Sequence, residues 1–412
     1  MQKNQIPVET LQFGMYIAEL DRPWTETPFM FQGFYLRTAQ QLQALRKCCR
    51  HVYIDFERSE PAALRQAVTL RQAASTPAWA AAPGFAIRGT APYPERADVR
   101  TEIKRAQTVY AQSVKALQDL FRPLEQGSAV LDAQEVQASM ARLADSVVRN
   151  PDALLLMSKM REKSVAAHAR ALQVSIYMMV FARFLKLERD EIELLGLLGL
   201  LQDIGKTRLP AALLGKQGSL TPQESEMVKK HVELSAHILG VTPGLPPKLA
   251  ALALLHHERQ DGGGYPRGLK AYQIGLYGSI AAICDTYDAL MAVRPYAGEQ
   301  SPSAAVNILL TGSGTAFHAQ LLEQFIQCVG AFPVGSVAEL NSGEIGIVVA
   351  QNPIQRLKPI VVVVLDPAGK PVRLRQILDL AKDPKLSANE PYRIRRTLEQ
   401  SRLEFDPREL FV

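Results

Sequence analysis

The chain has 412 residues, 47% of them hydrophobic and 21% charged, with a formal net charge of +6. That length exceeds one ordinary core and calls for two or three domains of globular composition. The mild positive charge suits an anionic small ligand, and the lack of a basic tract with interleaved aromatics argues against nucleic-acid polymers as partners.

The opening MQKNQIPVET carries no apolar core of signal-peptide length, and the greasiest run, SIYMMVFARFL, is interrupted by Arg183. A cytoplasmic protein without membrane contact is therefore expected. Cys48, Cys49, Cys284 and Cys328 show no CxxC spacing. They read as reduced thiols, the vicinal pair being incidental at a helix end.

Residues 1–57 read as a small α/β domain, with GMYIAEL and HVYID as strands and TAQQLQALRKC as an amphipathic helix capped by Thr38. Residues 58–95 include TPAWAAAPGFAIRGTAPYPERA, whose Ala, Pro and Gly content cannot build a core, and are expected to be a flexible linker. Residues 96–160 form a helical connector, since RTEIKRAQTVYAQSVKALQDLF and DAQEVQASMARLADSVV both repeat every 3.6 residues. Their heptad-like spacing is compatible with a homodimer or with packing on the next domain. Residues 161–330 continue as helices, and 331–412 change to a small β unit built on GSVAEL, EIGIVVA and PIVVVVL. The fold class expected is mainly α.

The helical middle holds most of the histidines. His168 shares a helix face with Val165, Leu172, Ser175 and Met179. The helix carrying His231 is marked by a Thr221 and Glu224 capping box, by Pro222 at its first position and by Gly240 after its end. Met227, His231, Leu234 and Ile238 form its inward stripe, with His237 off it. In LALLHHERQDGGGYPRGL, His256 and His257 end an apolar helix and three glycines force a loop. On the next helix Asp285 and Asp288 share a face with Ala281, Ala289 and Ala292, which lets another helix or an ion come close. A buried carboxylate without a partner is costly. A shared cation among Asp203, Asp285, His168, His231, His256 and His257 offsets that cost for all of them. Nitrogen and oxygen ligands without thiolate point to iron, manganese, nickel, cobalt or zinc. Two ions bridged by one aspartate, about 3.5–4 Å apart, suit in-line displacement at phosphorus.

LLQDIGKTRLP, HHERQDGGGYPRGL and CDTYDALMAVRPY, in that order, closely resemble the HD-GYP proteins, bacterial phosphodiesterases acting on cyclic di-GMP. The opening LQFGMYIAELDRPWTETPFMFQGFYL is similar to the domain of unknown function that precedes many HD-GYP modules. The resemblance implies an all-helical domain holding one or two divalent ions. It implies His168 as the first ligand, Asp203 as the bridging carboxylate, His231, His256 and His257 around the second ion, and Asp285 closing the first. It further implies Lys206 beside the scissile phosphate, Arg294 on a ligand phosphate, and a loop of Gly264, Tyr265 and Pro266 that shapes the site and meets diguanylate cyclases.

Gln202 stands where the family carries its name-giving histidine. An amide oxygen is a weak ligand beside imidazole nitrogen. Ala297 and Gly298 replace basic residues after RPY, and Ser279 replaces an arginine before Asp285. Ser164 stands where three-metal members carry glutamate. The resemblance thus leads to a cyclic di-GMP signalling protein with weak or absent hydrolysis and retained nucleotide binding. A fully active phosphodiesterase and a non-binding scaffold stay open as alternatives.

Overall fold

A computed structural model of the protein describes residues 3–8, 11, 13–22, 24, 27–29, 33–55, 86–93, 97–125, 131–158, 166–216, 218–291, 302–352, 354–372, 374–388, 390–398, 403 and 410.

The N-terminal unit is a four-stranded antiparallel sheet of β1 (Lys3–Pro7), β2 (Tyr16–Leu20), β3 (Phe34–Tyr35) and β4 (His51–Asp55), in the order β1-β4-β2-β3. Helix α1 (Ala39–Cys48) is opened by Thr38, whose side chain accepts from the Gln41 backbone while Gln41 reaches back to the Thr38 backbone N–H. Two otherwise orphaned donors are satisfied by that exchange. Ile17, Leu36, Leu45, Val52 and Ile54 fill a core of its own. Cys48 and Cys49 are free and close this helix.

Residues 58–85 of the expected linker lie outside the described residues. Residues 86–93 are pinned on the helical domain, because Gly89 and Ala91 donate to the carbonyls of Leu185 and Lys186 and the Tyr93 hydroxyl donates to that of Leu187. Ala91 is buried there. A segment too apolar-poor to fold alone is ordered by backbone hydrogen bonds to a neighbour.

Helices α2 (Val99–Glu125), α3 (Ala133–Arg149) and α4 (Pro151–Met157) form the connector. Val136, Met140, Leu143 and Val147 of α3 are buried in the main core, so its stripe is spent within this chain. Then follow α5 (Ala166–Phe184), α6 (Arg189–Leu201), the short α7 (Ala211–Leu214), α8 (Pro222–Lys229), α9 (His231–Val241), α10 (Leu249–Ala253), α11 (Gly275–Met291), α12 (Pro302–Thr311) and α13 (Ala319–Val329). The helix expected around His231 is two, parted at Lys230, whose N–H bonds the Met227 carbonyl in a tightened last turn. Gly240 lies inside α9, and Met227 is exposed while His231 and Ile238 are buried. The inward stripe therefore starts at His231. Among the described residues no helix is long and apolar enough to cross a membrane.

The C-terminal unit is a five-stranded antiparallel sheet of β5 (Val337–Leu340), β6 (Ile345–Ala350), β7 (Ile360–Leu365), β8 (Ile377–Asp379) and β11 (Ile394–Leu398), ordered β11-β5-β6-β7-β8. Strands β9 (Lys385–Ser387) and β10 (Glu390–Pro391) pair separately. Ile347, Val349, Val362 and Val364 face the helical core, and Val348, Val361 and Val363 a core within the unit. Burial on both faces explains the unbroken apolar run of β7.

Candidate metal centre

The site grows from close contacts between main chains. Helix α6 packs along α5, where the Ser175 hydroxyl donates to the Gly196 carbonyl at 2.8 Å. It ends at Leu201, Gln202 caps it, and a 3-10 turn over Ile204–Arg208 follows. Gly205 in that turn touches α9 directly, its N–H donating to the Ser235 hydroxyl at 2.8 Å. A Cβ there would lie 2.2 Å from the His231 carbonyl oxygen and 2.5 Å from the Ser235 nitrogen. Only glycine permits this approach, and the approach sets Asp203 beside His231.

Asp203, His231, His256 and His257 present ligand atoms that all lie within 4.8 Å of one another. His231 Nε2 is 3.1 Å and His256 Nε2 3.6 Å from Asp203 Oδ1. The other nitrogen of each ring is occupied, since His231 Nδ1 lies 2.6 Å from the Val228 carbonyl oxygen and His256 Nδ1 2.8 Å from that of Ala253. A carbonyl only accepts, so Nδ1 carries the proton and the neutral ring turns a bare Nε2 lone pair toward Asp203. Neither Nε2, nor Asp203 Oδ1, has a hydrogen-bond partner, and all three atoms are shut off from solvent. Three acceptors converging out of water fit a cation between them, and the Nδ1–carbonyl bonds are the outer support that metal-binding histidines carry.

The charges agree. Burial works to raise the Asp203 carboxyl, but the Lys206 ammonium opposes it, and the group is held well below the usual carboxylate range. Lys206 Nζ sits 2.6 Å from Asp203 Oδ2. Burial pushes the His257 ring well below its ordinary value. The carboxylate is thus ionised and the imidazole neutral, the forms that bind metal.

The loop after His257 is built to hold that ring. Buried Glu258 accepts from the backbone N–H groups of Arg267 at 2.8 Å and Leu269 at 2.9 Å. Gly264 presses on the preceding strand of loop, where a Cβ would come within 2.4 Å of the Arg259 nitrogen. Tyr265 then stacks on His257 with ring centroids 4.7 Å apart, and Pro266 follows through a cis peptide bond. Lys229 Nζ lies over the Tyr265 ring, 5.4 Å from its centroid.

The other expected ligands stand differently. Gln202 is 1% exposed, and neither its Oε1 nor its Nε2 has a hydrogen-bond partner. Asp285 is not among the four converging ligands. Its Oδ1, shut off from solvent and without a hydrogen-bond partner like Asp203 Oδ1, lies 3.5 Å from Arg170 Nη2, and Arg170 Nε donates to Asp288 Oδ2 at 2.9 Å. Burial lowers the Arg170 pKa, yet the Asp285, Asp288 and Asp203 charges outweigh it and raise it above the ordinary value. The side chain of His168 and the whole of Arg294, with Ala297 and Gly298, lie outside the described residues. Arg170, two positions beyond His168, is a site residue absent from the expected ligand set. The signal was there: a face carrying Asp285 and Asp288 among small residues asks for a cation, and an arginine supplies one without any ion.

Comparison with protein families finds three matches: a domain of unknown function (DUF3391) at residues 3–135, an HD domain at 153–321 and a KOW domain associated with HD domain at 337–395. The chain is 31% identical over 381 residues to cyclic di-GMP phosphodiesterase PA4108 of Pseudomonas aeruginosa, covering 92% of this chain and 89% of that protein. It is 39% identical over 128 residues to a cyclic di-GMP phosphodiesterase of Thermotoga maritima, covering 31% of this chain and 35% of that protein. Among solved structures it is similar to Bd1817, a HDG"Y"P protein from Bdellovibrio bacteriovorus, at 16% identity and a TM-score of 0.45, over 79% of this chain and 98% of that one.

Proposed function

The chain belongs to the HD-GYP family of cyclic di-GMP phosphodiesterases, and we propose that it acts in cyclic di-GMP signalling as a nucleotide-binding member whose hydrolysis is slow or absent. The observation that carries this reading is the inequality of the two halves of the site. Asp203, His231, His256 and His257 converge as a complete ligand set, whereas Gln202 offers a neutral amide and Asp285 faces Arg170.

A divalent cation held by the four converging side chains would draw charge from a phosphodiester and steady the negative charge that grows on its oxygens. Lys206 keeps Asp203 ionised and, being about one-third exposed (33%), presents its ammonium to a bound phosphate. Glu258 fixes the loop through its two N–H bonds, and the Tyr265 ring holds His257 in place. Arg294 is the further phosphate contact this reading assigns. Gly264, Tyr265 and Pro266 are the surface a diguanylate cyclase would meet.

Calorimetric titration of the manganese-loaded protein with cyclic di-GMP, followed by chromatography of the products, tests the reading. Binding is expected with turnover below about 1 s⁻¹, the lower edge of ordinary enzyme rates. Turnover at ordinary rates would leave the fully active phosphodiesterase, and absence of binding would leave a scaffold.

A further inference from the structure

We infer that the guanidinium of Arg170 replaces one cation of the two-ion centre, so that this chain holds a single divalent ion on Asp203, His231, His256 and His257. The inference rests on the metal centre of the reading above and not on its nucleotide.

Asp285 and Asp288 lie on one face of α11 and are each 6% exposed. Two carboxylates that far out of water need positive charge beside them. Arg170 supplies it from α5, donating to Asp288 Oδ2 at 2.9 Å and standing 3.5 Å from Asp285 Oδ1. The Asp203 carboxylate also acts on the guanidinium. An arginine cannot shed its proton to make way for an ion. A divalent cation on Asp285 would meet that fixed positive charge at close range.

The neighbouring position agrees independently. Gln202, next to Asp203 in the chain, is 1% exposed, and its carbonyl oxygen has no hydrogen-bond donor. A neutral amide brings neither the charge nor the donor strength that would overcome the arginine. The complete set owes nothing to this side. Its ligand atoms come from the turn after α6, from α9 and from the loop after α10, all within 4.8 Å. One half of the centre therefore fits an ion, while in the other the Arg170 charge stands 3.5 Å from Asp285 Oδ1 without hydrogen-bonding it.

The experiment is a metal count. Metal-free full-length protein is equilibrated with excess manganese, and bound manganese per chain is measured by elemental analysis, with paramagnetic resonance reporting whether ions are paired. One unpaired ion per chain is expected. Asp285→Asn keeps that count at one, and His256→Ala brings it to zero. Arg170→Gln, which deprives Asp285 and Asp288 of their cation, gains a second ion in protein shown to be folded by circular dichroism. Two ions in the wild type, loss of the ion in Asp285→Asn, or a count that stays at one in folded Arg170→Gln overturns the assignment. Should Arg170→Gln fail to fold, the wild-type and Asp285→Asn counts still decide it. None of these counts depends on nucleotide, so the inference and the cyclic di-GMP reading fail separately.

Discussion

His231 Nε2 faces Asp203 Oδ1 at 3.1 Å while His231 Nδ1 is held by the Val228 carbonyl. A neutral imidazole and a carboxylate meet there acceptor to acceptor. That contact is comfortable only with a positive charge between the two atoms. Asp203→Ala should therefore lower divalent-metal affinity by more than the roughly 10–100-fold that loss of an outer-shell partner costs. Equilibrium dialysis against manganese measures this, and unchanged affinity would remove the metal centre from consideration.

Gln202 buries an amide with both polar atoms unbonded. A buried unsatisfied polar group costs about 1–3 kcal/mol, and methionine is close to it in volume without that cost. Gln202→Met should stabilise the metal-free helical domain by an amount in that range in denaturant unfolding. If the amide oxygen ligates the bound ion, the gain vanishes in the manganese-loaded protein.

The His257 ring is depressed by burial in the folded state, whereas an unfolded ring takes a proton below about pH 6.5. The folded pKa lies below the unfolded one. The contribution to stability is therefore present above about pH 6.5 and is lost as the pH falls. Asp203, also depressed, adds a loss that begins only below about pH 3.9. Thermal unfolding of metal-free protein should show a midpoint that declines between about pH 7 and pH 5. His257→Gln, which cannot gain a proton, should flatten that decline, and an unaltered slope would show that His257 does not cause it.

Glu258 holds the loop through the Arg267 and Leu269 N–H groups. A hydrogen bond to a charged group contributes about 1.5–3 kcal/mol. Glu258→Ala should speed amide hydrogen exchange in residues 263–269 by at least about tenfold, the equivalent of 1.4 kcal/mol. Exchange in α11 should stay as it was. If protection in the loop is unchanged, something other than Glu258 fixes Tyr265 against His257.

Much of this architecture could be read from residue order. Thr38 and Gln41 signal a helix start because their side chains answer each other across one turn. Asp203, His231, His256 and His257 were legible for a different reason, as part of a set of six with His168 and Asp285, since buried polar residues must meet something; their separation as one group came from the family resemblance. Arg170 was not legible, because a long cation near a helix start reads as solvent-facing until the α11 carboxylates are seen opposite it. Strands β8 to β11 were missed because two to five residues are too few to establish a period of two. The division of α8 from α9 at Lys230 rests on one tightened turn, which leaves no mark in hydrophobic spacing.

At Gly205 the turn after α6 and the backbone of α9 are in contact, with no room for even a methyl group. The backbone separation beneath the Asp203–His231 bite is thereby gauged by two main chains, and the ring's Nδ1–Val228 bond sets the rest. Substitutions on the outer surfaces of either element can accumulate without altering that gauge. A family drifting away from catalysis would keep this half of its centre long after the other had been rewritten.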